Sequence, residues 1–190
     1  MIKARHDDKK LVVEILSTSF DDNKSVNYVI KQDRERRQRI SKLMGYSFEF
    51  CSLFGQVYLS DDKKACALTV FPDRKKTSIK SILLDLKLAF SCIGIANLQK
   101  ALNREAKIKT IHPRGPIYYL WFIGVSPEVQ NKGVGSSLLH DLIQESELMR
   151  RPFYLETSTL RNLPWYKKFG FEVHSELDFG YKLFCLKREL

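Results

Sequence analysis

Residues 117–125 read IYYLWFIGV, β-branched and aromatic almost throughout and apolar on both faces of an alternating strand. Such a run belongs in the middle of a sheet with cover on each side, so the rest of the chain must supply two layers. The chain then runs into VSPEVQNKGVGSSLL, residues 125–139, with Gly133 and Gly135 one residue apart where a helix should begin. The order buried strand, glycine turn, helix is the arrangement that makes an anion site. At a helix start, unpaired N–H groups point outward and the dipole favours negative charge. Glycine lets a phosphate approach the backbone closely. Gln130 and Lys132 can add side-chain donors.

The remaining elements fit around that strand. DDKKLVVEILSTSF predicts an amphipathic helix with Leu11, Val12, Ile15, Leu16 and Phe20 inward. A second helix is expected from Ser25 to Met44, ending near Gly45. QVYLSDDKKACALTV predicts a hairpin about Asp61–Asp62. A long helical region is expected over Ser78–Lys107, split at Gly94, with Ile79, Ile82, Leu83, Leu86, Phe90 and Ile93 chiefly as a core stripe that could also line a pocket. After the glycine turn the order is helix, strand FYLET, short helix NLPWYKKFG, and strands FEVHSEL and YKLFCLKRE. The class is α/β or α+β with a mixed sheet, in a single domain spanning 1–190.

A GxG pair alone does not name the anion. The dinucleotide fingerprint needs a third glycine, but Leu138 stands there, and the Walker loop's Gly-Lys-Ser/Thr is missing. The residues do resemble motif A of the GNAT N-acetyltransferases, in which Gln or Arg, two residues, Gly, one residue and Gly or Ala form the loop. YLETSTLRNLPWYKKFGFEV is similar to that family's motif B, with Asn162, Tyr166 and the Gly170–Phe171 pair. The two motifs cover about residues 117–173. The wording IGV-x-P, QxxGxGS, YLE, RN-x-P-x-Y-x-x-x-GF is closest to the puromycin acetyltransferase-like branch, from which Asn131 departs.

The resemblance implies a mostly antiparallel sheet of about seven strands flanked by helices and splayed at its two central strands. It implies acetyl-CoA as co-substrate, no metal, and pyrophosphate held by the loop Gln130, Asn131, Lys132, Gly133, Val134, Gly135 and Ser136. Ile123 and Val125 would offer main-chain groups to the pantetheine arm, which Asn162 would hydrogen-bond, and Gly124 between them belongs to the same cofactor-binding set. Lys132, Arg161, Lys167 or Lys168 would meet the 3′-phosphate.

Acetyl transfer to an amine needs the amine neutral: a lysine-like amine is so in only about one molecule in 10³ at pH 7, an α-amine in about one in ten. Tyr166 falls at the family's general-acid tyrosine, and it also contributes to the cofactor cleft. Glu156, mid-strand in an apolar run, is costly there unless paired or used, which makes it the candidate base. His112, before Pro113, is the weaker one. Phe48, Phe54, Phe71, Tyr118 and Tyr119 are acceptor-pocket candidates whose commoner role is core.

The expected function is transfer of acetyl from acetyl-CoA to a small-molecule primary amine in a ternary complex. One alternative is a protein acetyltransferase acting on lysines or N-termini. Another, from a different class, is a nucleic-acid-binding or regulatory protein using RERRQR, residues 34–39, with a vestigial acyl-CoA site. That run lacks interleaved aromatics and reads as a solvated helix face, so nucleic acid is not the expected partner. The net charge of +10 welcomes anions without ranking them. ILLDLKLAFSCIGIA is broken by Asp85 and Lys87, and the first ten residues lack an apolar signal core. A cytoplasmic monomer or homodimer with no membrane partner is the expectation. Cys51, Cys66, Cys92 and Cys185 form no CxxC pair and are expected as buried thiols.

Overall fold

The computed structural model describes the backbone of residues 1–190 and every side chain apart from those of residues 95 and 96. Seven strands form one sheet in the order β1-β2-β3-β4-β5-β7-β6: β1 (Ile2–Lys3), β2 (Gly55–Leu59), β3 (Ala65–Val70), β4 (Tyr118–Val125), β5 (Phe153–Thr157), β6 (Glu172–Asp178) and β7 (Lys182–Arg188). Every neighbouring pair is antiparallel except β4–β5. The run at 117–125 is therefore the central strand, as its two-sided apolar character requires.

Helices α1 (Lys9–Ser19), α2 (Lys24–Val29) and α3 (Arg36–Phe54) cover one face of the sheet. Val12, Leu16, Ile40, Met44 and Phe48 pack there on Val57, Leu68 and Phe122. Helix α6 (Val134–Leu148) covers the other, with Leu138, Leu139 and Leu142 against Tyr118, Leu120 and Leu155. The strand β4 switches sides midway. Its pairing with β3 slips between Leu68–Phe122 and Thr69–Leu120, which leaves Trp121 as an extra, bulged residue. Before the bulge Leu120 faces α6; beyond it Phe122 faces α1–α3, while Ile123 and Val125 face α6. A one-residue slip exchanges the faces of every later side chain.

The expected single helix over Ser25–Met44 is corrected to two. Asn23 caps α2, its Oδ1 accepting from the Val26 N–H at 3.0 Å. The helix stops at Ile30, which is extended. Asp33 Oδ1 then accepts from the Glu35 N–H at 3.1 Å, a local bond that competes with a continuous helix. Gly45 lies inside α3, which continues to Phe54, because burial of Phe48, Phe50, Cys51 and Phe54 beyond it outweighs the roughly 1 kcal/mol cost of glycine in a helix. Within RERRQR, Arg36 pairs with Asp21 at 2.9 Å and Arg39 pairs with Asp33 at 2.8 Å. The hydrogen bond from Arg39 holds the Asp33 carboxyl well below the usual carboxylate range. Half of the run's cations are thus committed within the molecule.

The hairpin and the break at Gly94 stand as expected: α4 (Ile79–Leu88) and α5 (Ile95–Ile111) are joined through a π-turn at Ala89–Ile93. The core stripe is corrected. Ile79 is 80%, Leu83 60%, Phe90 66%, and Ile82 and Leu86 each 49% exposed; of the six, only Ile93 is buried. Helical periodicity shows that a face is apolar, not what will cover it. The four cysteines are buried and unpaired. Among the described residues no helix is long and apolar enough to cross a membrane, and no cluster of ligating side chains is placed to hold a metal ion.

Candidate active site

Strands β4 and β5 pair only from Tyr118–Phe153 to Leu120–Leu155. β4 continues to Val125 and β5 to Thr157, so the two diverge and leave a cleft at their C-terminal ends. Parallel strands diverging there expose main-chain N–H and C=O groups that no neighbour satisfies. The cleft opens into a cavity of about 1400 Å³ that runs from the glycine loop, past Tyr166 and Glu156, to a chamber under α4 and α5.

The loop is built by two left-handed residues. Asn131 has φ 61° and Gly133 φ 86°, after which the chain enters α6. Gly133 is the position where geometry demands glycine, and among the described residues an added Cβ would meet nothing within 4 Å. Gly135 has a different reason: a Cβ would lie 3.0 Å from Val125 Cγ2, so glycine lets α6 start against the end of β4. The first intrahelical bond runs from the Ser137 N–H to the Gly133 carbonyl at 2.9 Å. Among the described residues, the N–H groups of Gly133, Val134, Gly135 and Ser136 find no acceptor. Four amides at a helix N-terminus suit a diphosphate.

Most of the other residues expected at the cofactor cleft meet there. Gln130, Asn131, Gly133, Gly135, Ser136, Ile123, Gly124, Val125, Asn162 and Tyr166 line the cavity; Lys132 and Val134 belong to the loop but not to its lining. Gln130 Nε2 donates to the Val125 carbonyl at 3.2 Å, as does Ser19 Oγ at 3.2 Å, so that oxygen is already occupied. Arg161 lines the mouth and is exposed, whereas Lys167 and Lys168 are exposed outside it. Trp165, which the sequence did not single out, donates from Nε1 to Ser136 Oγ at 3.0 Å and ties α7 (Leu163–Lys168) to the loop.

Tyr166 is nearly buried, with its ring against Trp165 and Phe171. Burial raises its phenol above the ordinary value of 10, so it stays protonated throughout the neutral range. Among the described residues nothing hydrogen-bonds its hydroxyl, which leaves that proton free for a group in the cleft.

Glu156 is held from two sides. The Tyr119 hydroxyl donates to Oε2 at 3.0 Å, and His112 Nε2 lies 3.3 Å from Oε1. The rings of His112 and Tyr119 meet edge to face at 5.2 Å. Arg104 stands nearby, its Nε donating to the Tyr181 hydroxyl at 2.9 Å and its Nη2 to Ser25 Oγ at 2.5 Å. Burial works against its charge, but Tyr181, Glu156 and Tyr119 outweigh that and raise its pKa. Of the aromatic candidates, Phe48, Phe54, Phe71 and Tyr118 are core; Tyr119 lines the cavity. Arg104 and Trp121 have no signal in the sequence, since only the fold brings α5 and the bulge to this place.

Residues 88–173 match the model of the acetyltransferase (GNAT) domain. That segment is similar to a GNAT acetyltransferase domain. Over 185 residues it is 27% identical to an uncharacterized N-acetyltransferase of Schizosaccharomyces pombe, spanning 87% of this chain and 70% of that protein. The histone acetyltransferase HPA2 and related acetyltransferase from Corynebacterium glutamicum superposes with a TM-score of 0.71 at 17% identity, covering 99% of this chain and 94% of that one. Arylalkylamine N-acetyltransferase 2 from Aedes aegypti gives 0.68 at 12% identity, with 99% and 97% covered. The C-terminal condensation domain of Ebony, in complex with beta-alanyl-dopamine, gives 0.73 at 10% identity, with 100% and 97% covered. At such identities the likeness to the solved structures is one of fold.

Proposed function

We propose that this chain transfers the acetyl group of acetyl-CoA to the primary amine of a small molecule, by direct attack with both substrates bound. The observation that carries the reading is the continuous cavity joining the partnerless amides of the loop to Glu156 and the chamber beneath α4–α5. Acetyl-CoA supplies an activated acyl thioester when bound. The amides of residues 133–136, with Gln130, Asn131 and Lys132 around them, hold the diphosphate; the main-chain groups of Ile123, the Val125 N–H and the Asn162 side chain align the pantetheine arm, while the main chain of Gly124 pairs with Cys66 on β3. Arg161 at the mouth suits the 3′-phosphate. Tyr166 holds the proton that the departing sulfur takes up, and Glu156 accepts the proton that the ammonium must lose. The roof over the acceptor end supports a small molecule over a protein chain. The finer likeness to the puromycin acetyltransferase-like branch rests on the wording of the two motifs.

Acetyl-CoA at a hundred times its Kd should raise the melting temperature by about 5–10 °C, and thiol should be released once amines are added. Absence of any stabilisation by acetyl-CoA or CoA removes the reading. Glu156→Gln should lower kcat/KM about 10–10²-fold near pH 7, and the loss should shrink as the pH approaches the amine's own pKa, where no base is needed. A loss constant with pH would reduce Glu156 to a brace for Tyr119 and His112.

A further inference from the structure

We infer that the acceptor is an amphipathic primary amine, carrying its amino group on an aromatic or aliphatic body, and that the chamber beneath α4 holds that body; this rests on the acyl-transfer reading above. The bulge in β4 sets the geometry. Tyr119 and Trp121 both project toward the α1–α3 side of the sheet. One end of the chamber is polar: Tyr119 holds Glu156, with His112 behind it. Residues two apart along a strand stand about 6–7 Å from each other, so the next station is Trp121. There the chemistry changes. The Trp121 ring meets Phe50 at 5.5 Å and Tyr46 at 6.3 Å, edge to face in both cases, and forms an aromatic wall.

Opposite that wall is α4. Ile82 and Leu86 line the cavity yet remain half exposed, so the wall and the helix do not close on each other. Asp85, between them in sequence, accepts from the Tyr46 hydroxyl at 2.7 Å through Oδ1, which ties α4 to α3. Apolar surface left facing a water-sized gap loses about 25 cal/mol for each Å² that an apolar ligand would cover. A pocket with one polar end converging on Glu156 and a mainly aromatic and aliphatic other end, with Lys75 and Asp85 also in its lining, selects a ligand of the same polarity. Ethanolamine and a diamine end in a second polar group, and a lysine side chain is tethered to a polar backbone, so none presents an apolar terminus to the Trp121 end.

The experiment compares 2-phenylethylamine, tryptamine and n-hexylamine with ethanolamine, putrescine and a lysine-containing peptide, by thiol release with acetyl-CoA and by calorimetric titration of each amine without it. The apolar amines should show kcat/KM at least tenfold above ethanolamine and putrescine. Their binding should carry a negative heat-capacity change. Trp121→Ala should cut the ratio of apolar to polar amine about tenfold, and that ratio does not depend on the fraction of folded enzyme. Ile82→Ser, at a half-exposed site, should lower the same ratio with the melting temperature retained. Equal or greater turnover of the polar amines or the peptide overturns the inference while leaving acetyl transfer intact. Failure of every apolar amine to bind overturns it as well. Preferential binding of the apolar amines with no thiol released from any of them upholds the chamber and removes the acyl-transfer reading instead.

Discussion

Gly133→Val is expected to weaken acetyl-CoA binding by 10²-fold or more, about 2.7 kcal/mol at least, with a smaller loss of folding stability. Two effects act together. The residue has φ 86°, where a β-branched side chain is a genuine outlier, and the left-handed conformation costs about 1–2 kcal/mol without glycine's freedom. The backbone then either keeps this geometry under strain or relaxes and turns the amides of residues 133–136 away from one another. In the first case the isopropyl group projects into open space, since among the described residues nothing stands within 4 Å of the Cβ position. Either outcome spoils a cradle that works by presenting several N–H groups to one anion. Calorimetric titration with CoA measures the loss, and chemical denaturation of the free protein measures the cost in stability. Unchanged affinity in a folded variant would mean that the loop is not the diphosphate site.

Removing the Tyr166 hydroxyl should do the complementary thing. Tyr166→Phe is expected to lower kcat by about 10²–10³-fold while the Kd for acetyl-CoA moves less than about threefold, since a general acid acts in the transition state and not in ground-state binding. The ring stays packed on Trp165 and Phe171, at 4.7 and 5.7 Å between centroids, so the melting temperature should hardly change. Burial raises this phenol above its ordinary pKa, so loss of its own proton cannot produce an alkaline limb near neutral pH. The wild-type rate should therefore climb as the amine deprotonates and keep climbing past pH 9. Turnover in the Phe variant equal to that of the wild type would reject the acid role.

The parts of this protein that could be read from its sequence are those where backbone geometry is locally imposed. A doubly apolar strand has to be central, and β4 is. A glycine with positive φ beside a helix start has to leave amides unpaired, and residues 133–136 are. The split of the Ser78–Lys107 region at Gly94 and the hairpin about Asp61–Asp62 are of the same kind, since turn residues state their own conformations. Motif B could be placed on α7 because Asn162, Pro164 and Tyr166 lie within one short segment.

The acceptor side was not legible in this way. Helical spacing marked Ile82, Leu83 and Leu86 as one apolar face, but periodicity is the same whether that face meets a core, a ligand or water. The helix expected over Ser25–Met44 is broken from Ile30 to Glu35, where the backbone turns extended and the Asp33 carboxylate takes the Glu35 amide; apolar spacing on either side gives no hint of it. The bulge at Trp121 is a mismatch in length between two strands, so it exists only once β3 and β4 are paired. Glu156 could be marked as anomalous, yet its partners Tyr119 and His112 come from a neighbouring strand and from the end of α5. The sequence by itself determined where a turn leaves helix-start amides unpaired, because that depends on dihedral angles a few residues can dictate. Only the tertiary structure decided what can lie beside it, because the chamber is the space left between elements far apart in the chain.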